Sequence, residues 1–229
     1  MTSTTTFATV GTDISIRWNA SLKAYEVTFT GGGCTNDLVV GCPTGRIVPS
    51  EPGSSYGQVV APDGSILASF ASVSNQPLTY TSWGSIGGQT IAYGIPTAQG
   101  AVPTIGSASY AAEIHGTAKA PGYEYGIYGS ALFQFNFGAG TLSGYMDPIL
   151  NGPMGGPTLP RYTFTQTVYS PGSTTFSGSF DFSGPTSSSF QGQFTGPAAQ
   201  ELMAKFQAPF SNGGGDWGVM HGVMIGKKQ

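Results

Sequence analysis

The sequence predicts an all-β protein, with an N-terminal β-sheet domain followed by a C-terminal eight-stranded antiparallel β-barrel. Three observations predict it. From residue 107 onward apolar residues alternate with polar ones almost without a break, the period of strands with one buried face. Gly and Pro, 36 and 16 of 229 residues, punctuate that alternation at turn spacing. Aromatic residues make up 12% of the chain against 8% charged, which supplies enough apolar area to fold a sequence this rich in breakers rather than leave it disordered.

Taken in order, "ISIRW" places Ile14, Ile16 and Trp18 on one face and "AYEVTF" does the same with Tyr25, Val27 and Phe29, so "NASLK" joins a hairpin. The cysteine-containing "GGGCTNDLVVGC" and the Pro/Ser/Gly-rich "PTGRIVPSEPGSSYG" read as loop. "GQVVAPDGSILASF" gives two strands about Pro62-Asp63-Gly64, where Asp-Gly supplies the positive φ of a tight turn. "LTYTSWGSIGGQTIAYG" gives another pair, turning near Gly87-Gly88. "IPTAQGAVPTIG", residues 95 to 106, has prolines and no period, and it places a domain boundary between residues 1–104 and 105–229.

The second part reads as "SASYAAEIH", "GSALFQFNFG", "GTLSGYM", "RYTFTQTVY", "TTFSGSFDFS", "SSSFQGQFT" and "DWGVMHGVMIG". That is seven strands, and an odd number leaves a parallel closing pair in an up-and-down barrel. In "TGPAAQELMAKFQAPFSNGG" the residues Ala199, Leu202, Met203 and Phe206 have helical spacing. Closure without a free edge instead requires "MAKFQAP" to be the eighth strand, with a helical turn confined to "PAAQEL". Alternating Phe residues fill the interior, and Gly178 and Gly192 stand where the wall bends.

Net charge is −3 with eight scattered Lys and Arg, so there is no basic stripe for nucleic acid. No run of about 20 apolar residues occurs, which excludes a transmembrane helix. "MTSTTTFATV" has neither a basic nor an apolar signal region, leaving a cytosolic chain or one whose export signal is replaced by Met1. Cys34 and Cys42, spaced C-x7-C, match no common zinc or redox motif; they form a small disulfide loop or stay as two thiols, and the bridged reading favours export. Carboxylates are spread singly and "GSSYG" lies in a loop, away from any strand-to-helix turn, so the chain is read as no enzyme, with no metal site and no resident cofactor.

The ordered segments "YGIPTAQGAVPTIGSASYAAEIHG", "FNFGAGTLSG", "FSGSF", "FQGQFTGPAAQELMAKF" and the terminal "GVMIGKKQ", spanning residues 92 to 229, resemble the transferrin-binding protein B family of surface or secreted proteins of Gram-negative bacteria. The resemblance implies a β "handle" domain before the barrel, export to the outer-membrane surface or medium, often with a lipid anchor, and binding without catalysis. Family members bind host iron proteins, complement regulators or haem, so the implied ligand is a protein or haem, with a TonB-dependent outer-membrane receptor as uptake partner. This chain shows no lipidated N-terminal cysteine and looks like a single-lobe relative. The other class is a structural or adhesive surface protein.

His115, at the end of the first barrel strand, precedes "GTAKAPGYEYGIY". It is a haem ligand, part of a protein interface, or an exposed strand-end residue. Tyr123 and Tyr125 offer rigid contact area in that loop, and Lys119 adds a charge. Met220 and His221 are consecutive in a strand and face opposite sides, so they cannot share an iron.

Overall fold

A computed structural model describes residues 7–8, 14–19, 22, 24–29, 44–48, 56–71, 76–86, 89–152, 156, 159–182, 184–211 and 216–229. The N-terminal part holds β1 (Phe7–Ala8), β2 (Ile14–Asn19), β3 (Ala24–Phe29), β4 (Thr44–Val48), β5 (Tyr56–Val60), β6 (Ile66–Ala71), β7 (Thr81–Ile86) and β8 (Gln89–Gly94). Strands β2 to β6 form a five-stranded antiparallel meander, and β7, β8 and β1 form a three-stranded sheet with β8 in the middle. The two sheets face each other over Tyr25, Val27, Ile47, Val59, Ile91 and Tyr93, with the Tyr25 and Tyr93 rings edge to face at 5.1 Å.

The predicted first hairpin forms in the register Ile14↔Phe29, Ile16↔Val27, Trp18↔Tyr25. The second turns at Gly64, whose φ of 88° is the conformation the Asp-Gly step foretold. One reading is corrected: "PTGRIVPSEPGSSYG" is not all loop, because β4 lies within it and pairs with β3 on one side and β5 on the other. Ile47 points into the core while Arg46 and Val48 are exposed, so a five-residue strand is held by its neighbours despite flanking prolines. Cys34 and Cys42 lie outside the described residues.

The barrel consists of β9 (Ser107–Ala120), β10 (Tyr123–Asn136), β11 (Thr141–Asn151), β12 (Tyr162–Val168), β13 (Thr175–Phe180), β14 (Ser189–Thr195), β15 (Glu201–Ser211) and β16 (Trp217–Lys228). Each strand pairs antiparallel with the next, and β16 returns to β9, closing the sheet. "MAKFQAP" is strand, as closure required, with Leu202, Ala204, Phe206, Ala208 and Phe210 all in the interior core. The helical turn is shorter than "PAAQEL" and of the opposite hand: only Pro197–Ala199 coils, with φ of 54° at Ala198 and 56° at Ala199. It is held by the Tyr110 hydroxyl, which donates to the Ala199 carbonyl at 2.6 Å.

Why the chain is rich in both Phe and Gly becomes clear across the strand pairs. Phe190 stands opposite Gly178, Phe176 opposite Gly192, Phe206 opposite Gly222, Phe210 opposite Gly218 and Phe133 opposite Gly144. A Cβ on Gly178 would lie 2.5 Å from Phe190 Cζ, and one on Gly218 would lie 2.5 Å from Phe210 Cε1. Four of these rings lie over the bare backbone of their partners, while Gly144 receives the Phe164 ring instead of Phe133, and the rings pack into a continuous filling with centroid separations such as 4.5 Å for Phe164–Phe190 and 4.8 Å for Phe135–Phe194. The segment at 95–106 closes one end: Val102 is buried in the barrel core, and Thr97 donates two hydrogen bonds on to β14 and the following turn, from N to Phe194 O and from Oγ1 to Gly196 O.

Candidate ligand-binding surface

At the opposite end, β9 and β10 meet in a tight turn at Pro121-Gly122, where Gly122 has φ 76°. Strand β9 runs on to Ala120, so His115 does not stand at a strand end and "GTAKAPGYEYGIY" is largely hairpin. "GTAKA" carries only small residues and one Lys, which hid the strand from its apolar pattern. Tyr123 is 56% exposed and stacks on Tyr125 at 6.1 Å with 14° between the planes. Tyr125 in turn meets the buried Phe210 edge to face at 6.4 Å. The outer ring is thus anchored to the core through the inner one, which limits the entropy lost when a partner covers it.

The four predicted site residues do not converge. Tyr123 and Tyr125 share one surface at the barrel rim. Lys119 belongs to the outward-facing set of β9 and pairs with Glu124 at 3.3 Å, both well exposed. Tyr128, cross-strand from His115, is exposed on the outer wall. Trp217 was not singled out from the sequence; it is 42% exposed at the same end, with its ring 6.0 Å from Phe182. Only the β15–β16 register, which places Trp217 opposite Ser211 at the strand mouth, reveals it.

His115 lies elsewhere, under the three-stranded sheet. Its ring is stacked on Trp83 of β7 at 3.7 Å and 8°, and its Nε2 is 3.2 Å from Glu113 Oε2. Burial lowers its pKa below the usual histidine value, against the opposing hydrogen bond and charge of Glu113. Around it, Ala92, Met203, Val223 and Ile225 form an apolar cluster with Leu78 and Trp83 packed against it, joining the sheet to the outer wall of β15 and β16. Glu201, 1% exposed, fastens this seam: its two carboxylate oxygens accept from Thr79 N at 2.7 Å and Tyr80 N at 2.9 Å, immediately before β7. Thr81 and Thr195 hydroxyls meet at 2.6 Å beside it. His221 faces outward on β16 while Met220 is in the core, as the strand period required.

The five-stranded sheet carries a cleft of about 440 Å³, lined by Leu22, Glu26, Arg46, Val60 and Pro62 among others. No three His, Cys, Asp or Glu side chains among the described residues are placed to hold a metal ion. No described helix is long and apolar enough to cross a membrane.

No family model matches the chain, and no curated protein matches it. Solved structures do. Two variant forms of transferrin-binding protein B from Haemophilus parasuis Hp5 superpose with TM-scores of 0.51 and 0.53 at 15% and 14% identity, over 94% and 93% of this chain and 53% and 54% of theirs. Intact Ap-TbpB, with N and C lobes, gives 0.50 at 14% identity over 94% of this chain and 54% of that one. The chain spans about half the length of these neighbours and shares with them an all-β fold like that of a transferrin-binding protein B lobe.

Proposed function

We propose that the chain is an exported or cell-surface binding protein that captures a nutrient-related ligand, a host iron protein before haem, for uptake through a TonB-dependent receptor, and that it is not an enzyme. In this reading residues 1–104 are the handle and 105–229 the barrel. The observation that carries it is the filled barrel. Rings packed at 4.5 to 6.5 Å leave the interior to the protein itself, so recognition falls on the outside, where the Tyr123–Tyr125 stack is exposed and held rigid from below. A protein partner is favoured over haem because His115, the obvious iron ligand, already has Nε2 on Glu113 and one face on Trp83. The fold shared with proteins named for binding transferrin supports the same class.

The test uses transferrin and haemin as probes. Transferrin binding that weakens by at least about 2 kcal/mol, some thirtyfold in Kd, in the Tyr123→Ala/Tyr125→Ala double variant at unchanged Tm supports the reading. A Soret band with haemin that is lost in His115→Ala moves the ligand to haem. Failure of both probes to bind favours the structural or adhesive class.

A further inference from the structure

The chain has two histidines, and both sit on the outer face of the same stretch of barrel wall. Strands β9 and β16 pair as His115↔Val223 and Thr117↔His221, so the two imidazoles are diagonal neighbours on adjacent strands. The three-stranded sheet packs on this wall through Trp83, which covers the His115 ring, and through the apolar cluster with Met203, Val223 and Ile225. We propose that His115 and His221 make the seam between sheet and barrel a pH-operated latch, closed while both rings are neutral and loosened when they take up protons.

Burial argues against charge at both positions: the His115 side chain is 14% exposed, and His221 Nδ1 is buried. An imidazolium carries N–H on both nitrogens, and His221 Nδ1 is buried with no hydrogen-bond partner among the described residues. A proton there would be a buried donor without an acceptor. Trp83 Nε1 is also buried and unmatched, but it is a donor and offers an imidazolium nothing; the acceptor beside His115 is Glu113, whose Oε2 lies 3.2 Å from Nε2 and whose Oε1 is buried without a partner. Glu113 and the Trp83 face do favour a charged His115, but burial outweighs them, and its pKa is lowered. His221 is lowered by burial first and by the Lys119 charge second.

The charged and titratable groups around the pair are Glu113 and Lys119 on β9, Glu124 and Tyr128 on β10, Glu201 and Lys205 on β15, and Lys227 on β16; β7 and β8 contribute only Tyr93, which faces the handle core. The docked state therefore binds fewer protons than the separated one. Docking is at full strength above the ordinary histidine value of 6.5, and weakens as pH falls through it towards the lowered folded values. A partner that touches both sheet and barrel would lose part of its surface in acid. The latch stands independently of which rim residues bind that partner.

Hydrogen exchange at about pH 7.5 and about pH 5.5, corrected for intrinsic rates, tests it. In the full chain β7 and β8 should lose protection on acidification while β12 to β14 keep theirs, by up to about tenfold for each histidine, since about pH 5.5 lies one unit below the ordinary value of 6.5. The His115→Gln/His221→Gln variant, which keeps polarity without titrating, should show no such loss. Protection of β7 and β8 that is independent of pH, or an acid loss that persists in the variant, overturns the latch. Should the variant fail to fold, NMR titration of the two imidazoles in the unaltered chain decides: both midpoints below 6.5 support it, and either at or above 6.5 overturns it.

Discussion

Gly178→Ala tests whether the paired Phe and Gly residues set the barrel's packing. In a strand, replacing Gly by Ala at an unobstructed position stabilises a protein by about 0.4 to 1 kcal/mol, because the unfolded chain loses freedom. Gly178 is obstructed. The added Cβ would lie 2.5 Å from Phe190 Cζ and 2.7 Å from Cε1, against an ordinary carbon contact of 3.4 Å or more, and 3.1 Å from the Thr165 carbonyl. The ring must retreat by nearly an ångström, and it has nowhere to go: Phe164, Phe180 and Phe133 stand at 4.5, 5.4 and 6.1 Å on its other sides. Overpacking of this kind costs about 1 to 3 kcal/mol, which for a chain of this length lowers Tm by roughly 2 to 12 °C. Urea denaturation of Gly178→Ala, Phe190→Leu and the double variant gives the coupling. Leu lacks the ring atoms that clash, so the double variant should be more stable than the sum of the two single costs implies, by about 1 kcal/mol or more. A Gly178→Ala protein as stable as the parent, or strictly additive costs, would refute the idea that each glycine is there to receive a ring.

Two further outcomes are expected. Glu201→Ala removes two charge-assisted hydrogen bonds and leaves Thr79 N and Tyr80 N without their acceptors, so urea unfolding should show a loss of about 2 to 4 kcal/mol, with the sheet of β7 and β8 melting ahead of the barrel; a loss under about 1 kcal/mol means water replaces the carboxylate. Cys34 and Cys42 should give no free thiol in the denatured, unreduced protein, and reduction should cost about 2 to 3 kcal/mol, whereas two reactive thiols remove the bridge.

The barrel was legible because its signal is local. Alternation at period two, a Phe on every second position and the turn glycines are each visible within ten residues, and the need for an even strand count then overruled the helical spacing of Ala199, Leu202, Met203 and Phe206. The extent of strands was harder to read where side chains carry little pattern. Strand β11 continues past "GTLSGYM" through Asp147 and Pro148 to Asn151; among the described strands it pairs there with β10 alone, the β12 ladder ending at Met146, and a proline without an N–H is tolerated where one side carries no ladder. Short β4 was hidden among Pro, Gly and Ser, since its stability comes from two flanking strands and not from its own five residues.

The candidate site was legible only in part, and the reason is physical. Tyr123 and Tyr125 are legible as rigid aromatic contact area; that they share one surface follows from the hairpin, since residues two apart on a strand point the same way. His115 was placed beside them by sequence distance, yet what surrounds it comes from Trp83, 32 positions earlier, and Glu201, far later in the chain, fastens the same sheet. Those contacts join the outer face of one sheet to the outer wall of a closed barrel, and both faces look, in sequence, like ordinary solvent-facing positions of their strands. An outward Trp on β7 and an outward His on β9 differ from exposed residues only once the sheet docks. That docking also decides what His115 can do. A solvated strand-end histidine is free to bind metal or proton alike, whereas one flattened under an indole and bonded to a carboxylate can respond to pH only by straining the seam that buries it.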